Sequence, residues 1–130
     1  MLIKKETEYA MLGLIELSKS GENFRDAKVL ARERSISESL MAKIFQRLAS
    51  AGIVESRLGP NGGFRLSRDP SEINLLEVLR AVQPANIIKC ADGRAPYCPK
   101  ETCLFRQTVG KIEVFIDEFL TNTTLTEIIN

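Results

Sequence analysis

The chain has 130 residues, a formal net charge of +1, 44% hydrophobic residues, and neither histidine nor tryptophan. That length suits one compact domain or a small domain with an appendage, and no apolar run approaches the roughly 18 residues of a membrane span. Without histidine there is no Ser-His-Asp or Cys-His arrangement and no imidazole acid–base group, so an enzyme is not expected.

A first helix is expected over 7–18, where Tyr9, Leu12 and Ile15 recur at helical spacing and Leu14 and Leu17 widen the apolar face. Thr7 is its expected N-cap, and Glu8 falls in the first turn, where the helix dipole favours a carboxylate. A second helix is expected over 26–34, turning Ala27, Leu30 and Ala31 inward. After the connector Ser35-Ile36-Ser37, Ser37 caps a third helix over 38–51. Its buried stripe is Leu40, Met41, Ile44, Phe45 and Leu48, and Gly52 ends it. Two helices about a tight turn make a helix-turn-helix. Residues 53–58 then read as a strand, Gly59-Pro60-Asn61-Gly62-Gly63 as a turn, and 64–66 as the returning strand. A β-hairpin in that place is a wing.

Asp69-Pro70-Ser71 marks a boundary, dividing the chain into a winged helix-turn-helix part, 1–68, and a second part, 69–130. A fourth helix starts at Ser71 or Asn74 and closes at Pro84. A loop over 87–103 leads to a long final helix over 104–120, with Val109, Ile112, Phe115, Ile116 and Phe119 as one broad apolar face. So apolar a helix beside so small a core suits a symmetric dimer interface. The fold class is mainly α. The N-terminal Met1-Leu2-Ile3-Lys4-Lys5-Glu6 lacks a signal peptide's apolar stretch, so the expected address is cytoplasmic.

Charge is unevenly shared. Residues 1–68 carry 12 Lys/Arg against 8 Asp/Glu, and residues 69–130 carry 6 against 9. A basic front joined to an acidic back suggests a nucleic-acid-binding part and a part for assembly or sensing. On the third helix, Ser37, Ser39, Leu40 and Lys43 occupy the groove-facing region, with Lys43 suited to a guanine or a phosphate. Arg25, Lys28 and Arg47 suit phosphate positioning. At the wing tip, Asn61 and Gly62 allow backbone amides to approach phosphate.

All three cysteines, Cys90, Cys98 and Cys103, fall in one stretch. Reduced thiols gathered this closely favour a soft metal, so an iron–sulfur cluster and zinc are candidates, with a metal-free thiol switch third. A fourth ligand must be a carboxylate, a backbone group, water or a partner chain.

The order of these parts resembles the Rrf2-type winged-helix transcription regulators. The most specific stretch is Gly59-Pro60-Asn61-Gly62-Gly63-Phe64-Arg65-Leu66. Tyr9-Ala10, Leu30-Ala31, Ile36-Ser37, Ala51-Gly52-Ile53-Val54, the cysteine loop and Thr124-Leu125-Thr126 support it. The resemblance implies a homodimer with cross-packed C-terminal helices on a pseudo-palindromic operator in double-stranded DNA. It also implies an iron–sulfur cluster, [4Fe–4S] or [2Fe–2S], held by Cys90, Cys98 and Cys103, whose state changes DNA affinity. Some members place a histidine three residues after the last cysteine. This chain has Arg106 there, which offers donors and no lone pair. Other members recruit an acidic residue from the first helix of the second subunit, and the corresponding residue is Glu8. The family's wing arginine precedes the first wing glycine, a place held by Leu58. Arginine stands one position earlier, at Arg57, on the opposite strand face; both Arg57 and Arg65 are expected DNA contacts, with Arg65 the better placed on the wing. The competing expectation is a zinc- or thiol-based interaction module that regulates transcription without a cluster.

Overall fold

Three helices, α1 (Lys5–Ser18), α2 (Ala27–Glu33) and α3 (Glu38–Ser50), turn their periodic apolar residues into one core. Leu14, Leu17, Leu30, Met41, Ile44, Phe45 and Leu48 are each at most 1% exposed. The computed structural model describes residues 3–83 and 103–129, so Pro84, Cys90, Cys98 and all of the expected loop except Cys103 lie outside the described residues. Gly13 lets α1 lie close against α3, since a Cβ there would meet the Phe45 ring at 2.7 Å.

Local signals fix most helix ends. Asp26 and Ser37 cap α2 and α3, accepting bonds from the N–H groups of Lys28 (2.9 Å) and Leu40 (3.4 Å). The turn between these helices closes through Ile36 N–H to the Ala31 carbonyl (2.8 Å) and Ser35 N–H to the Arg32 carbonyl (3.2 Å), with Ser35 left-handed at φ 55°. The first helix departs from its expected start. Lys4 is the N-cap and makes no side-chain cap bond, whereas Thr7 is buried and donates its hydroxyl to Gln83 Oε1 at 2.6 Å. A buried hydroxyl needs a partner, and an amide 76 residues away supplies one that the local cap geometry does not.

Glu16 ties α1 to the end of α2. Its carboxylate accepts from Lys19 Nζ (3.0 Å) and Arg34 Nε (2.7 Å). The bond from Lys19, helped by Arg34, holds the carboxyl below its ordinary 4.5 despite desolvation by burial. A depressed folded value means stability present above about 4.5 and lost as pH falls through the folded value. Glu16→Gln is therefore expected to destabilise the chain by about 1–3 kcal/mol at pH 7, with the difference from wild type shrinking below pH 4.5. Thermal melts across pH check this, and a gap that stays constant with pH would refute it.

The wing is an antiparallel hairpin of β1 (Val54–Arg57) and β2 (Gly63–Leu66), with Val54 opposite Leu66 and Glu55 opposite Arg65. Alternation buries Val54 and Phe64 and leaves Glu55, Arg57 and Arg65 together on the outer face. The wing is fastened to α3 and to the segment that leads into α2. The Phe64 ring packs on that of Phe45 in α3, centroids 5.3 Å apart. Arg25, two residues before α2, exchanges two backbone bonds of 2.8 Å with Phe64. Gly63 permits that approach: at φ 127°, any Cβ would collide with the Arg25 carbonyl.

A short 3₁₀ turn (Pro70–Glu72) leads to α4 (Leu75–Val82), which starts in a reciprocal Asn74–Glu77 capping box. Ile73, Val78 and Val82 join the main core, while Leu76 and Leu79 pack with Leu120 of α5 (Leu104–Thr121). The broad apolar face expected on α5 is two adjacent faces. Val109, Ile116 and Leu120 turn inward, whereas Leu104, Phe105, Ile112, Phe115 and Phe119 are between 45% and 75% exposed. At 3.6 residues per turn those five fall within a sector of about 100°. The tail folds back through Leu125, fully buried, whose N–H donates to the Ile73 carbonyl (2.9 Å), and ends in α6 (Thr126–Ile129). Among the described residues no helix is long and apolar enough to cross a membrane.

Candidate nucleic-acid interface and metal ligands

Helix α3 presents Ser39, Lys43, Gln46 and Ser50 on one exposed stripe at helical spacing. Ser37 is largely occupied as the cap, with its Oγ 3.1 Å from that of Ser39. Leu40 is half-buried against the core and serves packing as well as the surface. Gln46 is not singled out by sequence alone. It lies beside Lys43 on the stripe, and a glutamine amide is a pairing group for adenine. Extending the Ser39–Lys43 spacing by three residues finds it.

The structure sorts the cations by their partners. Arg25 is held by Glu33 (2.6 Å) and Arg65 by Glu55 (2.8 Å), and Arg32, Arg34 and Arg68 are likewise paired. Lys28, Lys43, Arg47 and Arg57 have no carboxylate partner among the described residues. Arg47 is exposed and donates to the Val82 carbonyl at the end of α4 (3.2 Å). Arg57 donates to the Asn61 carbonyl (2.9 Å) and lies 4.1 Å from the ring centre of Phe24, a residue that sequence alone does not mark either. Asn61 is exposed and Gly62 half-buried at the tip. A Cβ on Gly62 would strike the Arg57 carbonyl, so the turn admits no larger residue without moving.

Of the expected metal ligands, Cys103 and Glu8 are described. Cys103 is half-buried at the N-cap of α5, its side chain makes no cap bond, and its thiol is free. The helix dipole favours negative charge there, and the first turn of α5 holds no acidic residue. Glu8 is exposed on α1, at the edge of an apolar cleft of about 500 Å³ lined also by Met11, Leu12, Leu79 and Leu120. Its carboxylate has no hydrogen-bond or ion-pair partner among the described residues.

Residues 3–130 match the profile of Rrf2, described as an iron-dependent transcriptional regulator. The chain belongs to the Rrf2 family. It is 36% identical over 101 residues to the HTH-type transcriptional regulator NsrR of Bacillus subtilis, covering 75% of this chain and 68% of that protein. To the protein aau3 of Rhizobium meliloti it is 35% identical over 100 residues, 76% of this chain and 65% of the relative. The alignment thus spans about two thirds of these relatives' length. Among solved structures, CymR, the global cysteine regulator of B. subtilis, superposes with a TM-score of 0.78 at 26% identity, covering 98% of this chain and 95% of that one. The family and the NsrR relative are described as transcriptional regulators, and no enzymatic family is indicated. Among the described residues no three Cys, Asp or Glu stand together as a metal site, and Cys103 alone offers the unengaged thiol that a soft metal group favours.

Proposed function

We propose that this Rrf2 protein is a homodimeric regulator that binds a pseudo-palindromic DNA site and responds through an iron–sulfur cluster. Cys90, Cys98 and Cys103 hold the cluster, with Glu8 of the partner subunit as fourth ligand. The observation that carries the DNA reading is the exposed Ser39–Lys43–Gln46 stripe on a helix locked to a wing by the Phe45–Phe64 contact. A helix so presented fits a major groove while the wing follows the backbone. The bare apolar sector of α5 supports the dimer, because a two-fold partner covers it with the same surface.

When bound, the cluster supplies a centre whose charge and integrity respond to redox conditions. The chain's own residues link that centre to the reader. Val82 and Gln83 stand at the root of the cysteine-bearing segment. Arg47 of α3 holds the Val82 carbonyl, while Thr7 and the Lys4 N–H of α1 hold the Gln83 amide oxygen. A shift at that root is therefore felt directly by the recognition helix and by the helix that carries Glu8.

The test starts from duplexes selected by the protein from a random-sequence pool. Lys43→Ala is expected to lower affinity for the selected duplex about 10–100-fold, as removal of a base or phosphate partner on the reading helix requires. Fluorescence anisotropy measures it. Failure to enrich any duplex, or unchanged affinity in the variant, would overturn the DNA reading.

A further inference from the structure

The outer face of the wing gathers two arginines around one aromatic ring. Glu55 and Arg57 alternate along β1, and Arg65 stands opposite Glu55 on β2. The Arg25–Phe64 bridge adds a third edge to this sheet, so alternation brings Phe24 to the same face as Arg65. The Phe24 ring lies 4.1 Å from the Arg57 guanidinium carbon and 4.6 Å from that of Arg65.

The two guanidiniums are held differently. Arg65 donates to the Glu55 carboxylate at 2.8 Å and to the Glu22 carbonyl at 3.4 Å. Its charge is neutralised within the wing. Arg57 has no carboxylate among the described residues and spends a single bond, 2.9 Å, on the Asn61 carbonyl. Stacking uses the flat face of a guanidinium and leaves its N–H edges free, the geometry that suits a phosphate. Arg57 also lines a notch of about 460 Å³ between the wing tip and the start of α2, together with Phe24, Arg25, Asn61 and Gly62.

We propose that Phe24 is a positioning residue that presents Arg57 to the DNA backbone, while Glu55 withholds Arg65 from it. The stack limits the rotamers of a long side chain before DNA arrives, so less freedom is lost on binding. This reverses the emphasis of the sequence, in which Arg65 is the better placed of the two. The inference rests on the DNA-binding reading above and names the wing groups that meet phosphate.

The experiment titrates salt against affinity for the selected duplex and for a mixed-sequence duplex, using the whole 130-residue chain. Phe24→Leu is expected to weaken both complexes by about 3–10-fold and to flatten the log–log salt dependence by up to about 0.9 for each phosphate that the wing no longer neutralises. Phe24→Tyr, which keeps the ring, restores both. Phe24→Leu added to Arg57→Ala causes no further weakening. Glu55→Gln, an exposed change that leaves the core intact, strengthens binding and steepens the salt dependence because Arg65 is released. An unaltered salt slope in Phe24→Leu, failure of tyrosine to rescue it, or an unaltered slope in Glu55→Gln would each overturn the proposal. The two failures are distinguishable. If wild type binds and Lys43→Ala weakens it while the Phe24 and Glu55 variants do nothing, only the wing assignment falls; if wild type binds no duplex, the functional reading falls and this inference with it.

Discussion

Cys103→Ala is expected to yield air-protected protein without colour, iron or acid-labile sulfide, where the parent carries all three. The variant tests ligation with little structural penalty. The Cys103 side chain makes no cap bond to α5, its thiol is unbonded and half-exposed, and its backbone carbonyl still accepts the Gln107 N–H at 3.2 Å after the change. Helix α5 therefore survives while one of three thiolates is removed. With no histidine in the chain to replace it, two thiolates and a carboxylate are left to hold a cluster normally bound by four protein ligands. The effect on DNA follows: the parent's affinity changes when its cluster is removed, and the variant's is constant under the same treatment. Absorption spectra, iron and sulfide assays and anisotropy measure these outcomes. A colourless parent with one zinc per chain, or a variant that keeps its iron, would remove the cluster reading.

Phe115→Asp is expected to convert the dimer to a monomer and to reduce operator affinity by orders of magnitude. Phe115 is 70% exposed in the single chain and lies in the sector shared with Phe105, Ile112 and Phe119. Burying one such ring contributes about 1.5–3 kcal/mol, and two-fold symmetry counts it twice. The dimer dissociation constant should thus rise on the order of 10²–10⁴-fold, more if the aspartate stays charged in the interface. Operator binding weakens because two linked half-site contacts become two separate events. The fold of the single chain is spared, since the side chain points away from its core. Analytical ultracentrifugation and melting curves check the two halves of the expectation, and a variant that stays dimeric would show that α5 does not carry the interface.

The order of the helices, the tight turn and the wing are legible because each is written in a short window. Ser37 caps α3 as its position suggests, and the Asn74 box starts α4. The displaced start of α1 has a different origin. Thr7 has the chemistry of a cap, but the buried Gln83 amide oxygen is the partner it takes. On α5, periodicity marks apolar positions without saying what lies opposite, so Ile116 and Phe115 look alike although one packs on α4 and the other faces solvent. Phe24 gives no signal at all, being a single aromatic in a polar connector.

Residue identity and spacing alone determined that the chain carries a helix-turn-helix, a glycine-tipped hairpin and three thiols in a histidine-free background. Which charges are free to meet a partner was decided only by the tertiary structure. Arg57 and Arg65 are the same residue type on the same face of the hairpin, yet strand register sets Glu55 opposite Arg65 and the Arg25–Phe64 bridge brings Phe24 beside them. Periodicity reports which residues turn inward. Whether an outward charge is neutralised depends on groups that only folding brings within a few ångströms, where Coulomb attraction and hydrogen bonding become strong.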